Sequence, residues 1–123
     1  MADARRVSRE DLARLYTQFA QGLPARAAVM REALDALTSG GGGRGDFVHD
    51  ATRLYMAAHA LRGTAQVYGA LDLVPHAERL ESWSNEWRRA GRADPQALAE
   101  ARRELDGLTA AMAAAARRGP GAT

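Results

Sequence analysis

Apolar residues recur along most of this chain at alternating steps of three and four, the period of helices that bury one face. Ser8 is suited to cap a first helix, with Asp11 at the third position completing an approximate capping box, and Leu12, Leu15, Phe19 and Leu23 supply its apolar face. Gly22-Leu23-Pro24 predicts a break, and Pro24 fits the first turn of a second helix that turns Ala27, Met30, Leu34 and Leu37 inward and ends near Ser39. The run from Gly40 to Gly45 reads as a flexible loop, and it lacks the serine or lysine that a phosphate-cradling loop needs. A third helix, capped by Asp46, is expected to run to about Val67. Its stripe is Phe47, Ala51, Leu54, Ala58, Leu61, Ala65 and Tyr68, at steps of 4, 3, 4, 3, 4 and 3, and Gly69 is placed to end it in a left-handed turn. Asp72 is the expected cap of a fourth helix, with Pro75 in its first turn and Leu73, Ala77, Leu80, Ser84 and Trp87 as its stripe. After a short turn from Gly91 to Asp94, Pro95 opens a fifth helix carrying Leu98, Ala101, Leu105, Leu108, Met112 and Ala115. Arg117 and Arg118 close that helix at the negative end of its dipole.

Four long stripes joined mostly by short connections predict an all-α fold, an up-and-down four-helix bundle, with the first helix as a short N-terminal cap across one end. The bundle is expected over residues 8–118, with a flexible N-terminus at 1–7 and a disordered tail at 119–123.

Composition narrows the function classes. A chain of 123 residues is one domain. It has no cysteine, which removes disulfides and thiolate metal sites, and no apolar run approaches the roughly 20 residues needed to cross a bilayer. Its N-terminus lacks the apolar core of a signal peptide, so a cytoplasmic protein is expected. All 17 basic residues are arginine, a bias that extends to the absence of isoleucine, and the net charge is only +2. Arginines alternating with acids along helices describe a solvated surface and offer no reason to expect nucleic acid or membrane as a partner.

The third helix has an unusual polar face. His59 lies about 120° from the centre of its apolar stripe, turned toward water. Arg62, Gly63 and Gln66 follow at +3, +4 and +7, beside or behind the imidazole. Mid-helix glycine costs about 1 kcal/mol against alanine, which suggests that something must approach the backbone at Gly63. A neutral ring nitrogen is a good nucleophile near neutral pH, the ordinary histidine pKa being about 6.5. An exposed histidine, a nearby cation and a cleared patch together describe a phosphoryl-carrying site. Alone, His59 would read as an ordinary surface histidine; its surroundings change that.

His59-Ala-Leu-Arg62-Gly63-Thr64, followed by Gly69 at +10, Leu73 at +14 and Leu80-Glu81 at +21 and +22, resembles the signature of histidine-containing phosphotransfer (HPt) domains. The resemblance extends more loosely over about residues 8–117. It implies the same bundle and a phosphocarrier, not an autonomous enzyme. His59 would accept a phosphoryl group from a receiver-domain aspartyl phosphate, or from a kinase, and pass it to a response-regulator aspartate. Which nitrogen carries it is not readable from the chain; the resemblance implies Nε2. Arg62 stands where the family usually has lysine, and can screen the phosphoryl oxygens with its planar fork. Gly63 would let a partner's loops close over the ring. Gln66 either orients partner or phosphoryl group or is simply solvated, and Met56 and Tyr55 offer apolar contact area, with core-edge packing the other reading of Tyr55. Gly69 is read as a helix stop and Glu81 as a surface or helix-contact carboxylate.

The implied partners are response-regulator receiver domains and a hybrid or other histidine kinase. No cofactor is expected on this chain, magnesium belonging to the receiver, and the bundle looks complete as a free-standing monomer. His49 and His76 have no metal-ligand spacing with His59, and no metal site is expected. Trp83 and Trp87 read as packing residues. Two rivals remain: an unphosphorylated HPt-like bundle that docks receiver or kinase domains as a regulatory module, and a purely structural bundle. A detached head of a chemotaxis-type kinase would share the site and differ only in its donor.

Overall fold

The computed structural model describes residues 8–40 and 43–119, and the fold is four antiparallel helices. They are α1 (Arg9–Ser39), α2 (Arg44–Val67), α3 (Val74–Ala90) and α4 (Pro95–Arg118), with a 3₁₀ turn at Leu71–Leu73 leading into α3. Each helix packs on its chain neighbours, α1 closes the ring onto α4, and the α2–α3 pair is the most extensive. This is the expected up-and-down bundle. No described helix is long and apolar enough to cross a membrane.

The expected N-terminal capping helix is absent as a separate element, because α1 runs unbroken for 31 residues through Pro24. The reason is a buried stripe, Tyr16, Phe19, Leu23, Ala27, Met30, Leu34 and Leu37, that keeps helical spacing across the proline. An interior proline costs about 3 kcal/mol. Full burial of Leu23 and Met30 offsets it, at about 1.5–3 kcal/mol for each side chain. Leu12 and Leu15, expected inside, are 52 and 38 % exposed. Tyr16 takes the core position instead, and its hydroxyl donates to the Ala115 carbonyl at 2.9 Å, tying α1 to α4.

The stripes expected within α2, α3 and α4 are buried as read, including Ser84, whose hydroxyl donates to the Leu80 carbonyl at 2.6 Å. Phe47 and Tyr68, at the ends of the α2 stripe, are half-buried, and Tyr68 stacks on Phe19 at 4.8 Å between centroids.

Helix starts differ more. Ser8 caps α1 as expected, accepting from the Asp11 amide at 3.0 Å. Arg44 and Gly45, read as loop, already belong to α2, so Asp46 lies in its first turn and does not cap it. Asp72 does not cap α3 either; its carboxylate pairs with Arg118 at 2.6 Å across the end of the bundle. Gly69, with φ 71°, makes the left-handed turn after α2. The expected flexible N-terminus at 1–7, the glycines at 41 and 42, and the tail beyond 119 lie outside the described residues.

Candidate functional site

A polar seam runs along the outer edge of the α2–α3 pair. Tyr55, His59 and Arg62 follow one another on α2, and Glu81, Asn85 and Arg88 on α3. The two helices are antiparallel and joined by six residues, so residues at similar distances from that connection meet. His59 lies eight positions before the end of α2 and Glu81 seven after the start of α3.

Nδ1 of His59 is paired with the Glu81 carboxylate. The same carboxylate faces Arg62, whose Nε lies 2.8 Å from Oε1 without lining up as a hydrogen bond, while a terminal nitrogen donates to Oε2 at 3.4 Å. The Glu81 side chain is only 14 % exposed, whereas that of His59 is 58 % exposed. A carboxylate on Nδ1 favours the tautomer with its proton there and leaves the Nε2 lone pair outward. Nε2 has no hydrogen-bond partner among the described residues.

Tyr55 lies one turn earlier, its ring stacked with the imidazole at 6.0 Å between centroids and 21° between planes. The Arg88 guanidinium lies 4.7 Å from the Tyr55 centroid, a cation–π contact that partly compensates a buried Nε with no acceptor among the described residues. Tyr55 is thus an edge residue of the core that also backs the histidine.

Beyond the ring toward the end of α2, His59, Ala60, Gly63, Thr64, Val67 and Tyr68 line a shallow depression. A Cβ built on Gly63 would meet nothing within 4 Å, so nothing inside the bundle demands glycine there. Met56 and Val67 are exposed apolar side chains on either side of the histidine along α2. Gln66 is exposed, and its side chain has no hydrogen-bond partner among the described residues.

The structure thus gathers His59, Arg62 and Tyr55, sets Gly63 and Met56 beside them, and leaves Gln66 turned outward. Glu81 and Arg88 escaped sequence reasoning as site residues. Glu81 was legible only as a surface or helix-contact carboxylate, and the near-equal distances of positions 59 and 81 from their connection were the signal that could have paired it with His59. His49 lies on the first turns of α2, and His76 faces Glu104 of α4. No group of three or more histidine or acidic side chains among the described residues could hold a metal ion.

The chain is thus an antiparallel four-helix bundle that presents an exposed, carboxylate-backed histidine on α2. The family model for the Hpt domain matches residues 14–117, and the chain belongs to that family. No curated protein and no solved structure matches it significantly. Hpt domains take part in histidine phosphotransfer within two-component phosphorelays, interacting with receiver domains and histidine kinases as carriers rather than catalysts.

Proposed function

We propose that His59 is the phosphoryl-accepting residue, shuttling the group between the aspartates of receiver domains. The observation that carries this is an exposed imidazole whose inner nitrogen is held by Glu81 and whose outer nitrogen has no hydrogen-bond partner among the described residues. The Nε2 lone pair attacks phosphorus of a receiver's aspartyl phosphate, an N–P bond forms, the acyl P–O bond breaks, and the aspartate leaves as a carboxylate. The Nδ1 proton stays with the Glu81 contact, which stabilises the imidazolium character that develops on the ring. Delivery to the next receiver is the same step in reverse.

Arg62 is committed to Glu81 through one short approach and one long bond, so its fork retains donors for the phosphoryl oxygens. Gly63 gives the incoming loops access to the backbone, and Met56, Tyr55 and the methylene face of Gln66 form the apolar rim they cover. The receiver supplies magnesium, which neutralises the charge of the transferring group; this chain supplies the positioned nucleophile. It acts as a monomer in the cytoplasm, fed by a hybrid or other histidine kinase.

The test is transfer from a phosphorylated receiver domain of the same organism to wild type and to His59→Ala, read as acid-labile, base-stable phosphate. Label on wild type alone is expected. Label on neither, with receiver binding intact, would replace the carrier by an unphosphorylated docking module. Label on both would move the site to another histidine.

A further inference from the structure

The His59 arrangement has a counterpart elsewhere in the bundle. On α3, His76 is followed three residues later by Arg79, and both engage one carboxylate of the next helix, Glu104 of α4. Nδ1 of His76 is paired with Glu104 Oε2, as Nδ1 of His59 is with Glu81 Oε2. Arg79 donates from Nε to Oε1 at 2.7 Å and from a terminal nitrogen to Oε2 at 2.9 Å. The two carboxylates are equally sheltered, 13 and 14 % exposed. Nε2 of His76 has no hydrogen-bond partner among the described residues, and the side chain is 26 % exposed. Gly107 lies against the ring: a Cβ there would come within 3.1 Å of Cε1. This glycine in the middle of α4 costs about 1 kcal/mol and makes room for the imidazole.

We propose that His76 is a second phosphoryl-accepting histidine, set by Glu104 and Arg79 and taking the group from a small phosphoramidate-class donor. The likeness rests on reading the His59 arrangement as an acceptor. The donor is small for a structural reason. The exposed large apolar side chains of the described residues lie on α1, on α2 and at Leu71, and α3 and α4 carry none. A protein partner of the kind proposed for His59 therefore finds no apolar rim there. In the step, the Nε2 lone pair attacks phosphorus and an N–P bond to the ring forms. The donor reacts as its zwitterion, whose nitrogen already carries three protons, so its P–N bond breaks and ammonia leaves, while the Nδ1 proton of His76 stays on the ring against Glu104. His76 is the slower of the two, because its side chain is 26 % exposed against 58 % for His59 and because Arg79 is held by both oxygens.

The experiment incubates the full chain with phosphoramidate and follows each histidine by mass spectrometry at alkaline pH. Wild type, His59→Ala and Glu104→Gln are compared. His49 is exposed and has no carboxylate partner among the described residues, so it reports generic imidazole reactivity. Expected is label on His59 and on His76, with His76 outpacing His49 by about tenfold, a factor that a charge-assisted hydrogen bond readily supplies. His59→Ala keeps the His76 label, and Glu104→Gln slows it while the His59 rate holds. Label on His59 alone, or on His49 and His76 at equal rates, overturns the second site and leaves the first standing. Label on His76 without His59 supports the second site, and the receiver assay then decides the His59 assignment. No label at all overturns the second site and leaves His59 to the receiver assay, and a His76 rate indifferent to Glu104→Gln overturns the part given to that carboxylate.

Discussion

Substituting Gly63 should separate stability from function with opposite signs. The residue is in the interior of α2, its φ is not positive, and an added Cβ meets nothing within 4 Å. Gly63→Ala therefore removes the backbone-entropy cost of a helical glycine without a clash, a gain of about 1 kcal/mol. For a domain of this size that is a rise in Tm of about 4 °C. Gly63→Gln keeps part of the gain, since glutamine is also a good helix former. Phosphoryl transfer should move the other way. If receiver loops close over this patch, a glutamine side chain must be accommodated in a packed interface, at about 1–3 kcal/mol, or roughly 5- to 150-fold in the transfer rate at limiting receiver. Gly45→Ala is the control, in the first turn of the same helix about 27 Å away and equally free of neighbours within 4 Å. It should leave transfer unchanged. Thermal melts and a single-turnover transfer assay read both axes. A Gly63→Ala protein that melts lower would refute the packing argument, and a Gly63→Gln protein that transfers like wild type would refute the clearance argument.

Pro24→Ala restores the amide that α1 lacks opposite the Ala20 carbonyl, and the extra freedom of the unfolded chain offsets part of the gain. The net should be a stabilisation of about 1–2 kcal/mol, visible as a higher urea midpoint with an unchanged slope; an unchanged or lower midpoint would mean the proline is not strained in a continuous helix. Glu104 should make stability acid-sensitive. The hydrogen bond from Arg79 holds its carboxyl below the ordinary glutamate value, burial opposes this, and the His76 hydrogen bond and both partners' charges add to the lowering. The unfolded carboxylate therefore takes up its proton at a higher pH than the folded one. The contribution is complete above the ordinary glutamate value and disappears as pH falls through the folded one. Urea midpoints from about pH 6 to about pH 3 should fall more steeply for wild type than for Glu104→Gln, and parallel slopes would exclude the carboxylate as a source of that dependence.

Most of the core could be read in advance because its signal is local. Ala51, Leu54, Ala58, Leu61 and Ala65 are all buried, and so is every stripe residue of α4 from Leu98 to Ala115. What failed depended on competition between local and tertiary terms. Gly22-Leu23-Pro24 carries a strong break signal, yet Phe19, Leu23 and Ala27 remain on one face and their burial prevails. Leu12 and Leu15 obey the period but lie on the first turns of α1 and remain partly exposed, and Tyr16 reaches the core from the same turns because its hydroxyl has a carbonyl to bond. Asp46 and Asp72 are good caps by type, but a cap acts only at the residue where the helix begins, and both helices begin elsewhere. At the site, His59, Arg62 and Gly63 were legible because one helix fixes their mutual offsets. The contact of Glu81 with the ring and that of Arg88 with Tyr55 each need the α2–α3 register, which no window on one helix contains.

That register explains why His59 can be both exposed and ordered. An imidazole more than half in water would normally sample several rotamers, and each transfer would then begin by fixing one. Here the flanking positions of α2 are core: Ala58 and Leu61 are fully buried, so the backbone that bears His59 and Arg62 cannot shift without opening the bundle. Glu81 is held the same way, with Leu80 fully buried beside it and Arg62 against its carboxylate. Order therefore passes from the apolar seam to the carboxylate, and from the carboxylate to Nδ1, while Tyr55 backs the ring and is itself faced by Arg88. The outward nitrogen inherits a fixed direction without being enclosed. A fixed imidazole on an open surface suits the role proposed for His59, because neither a donor nor an acceptor would then have to reorganise it.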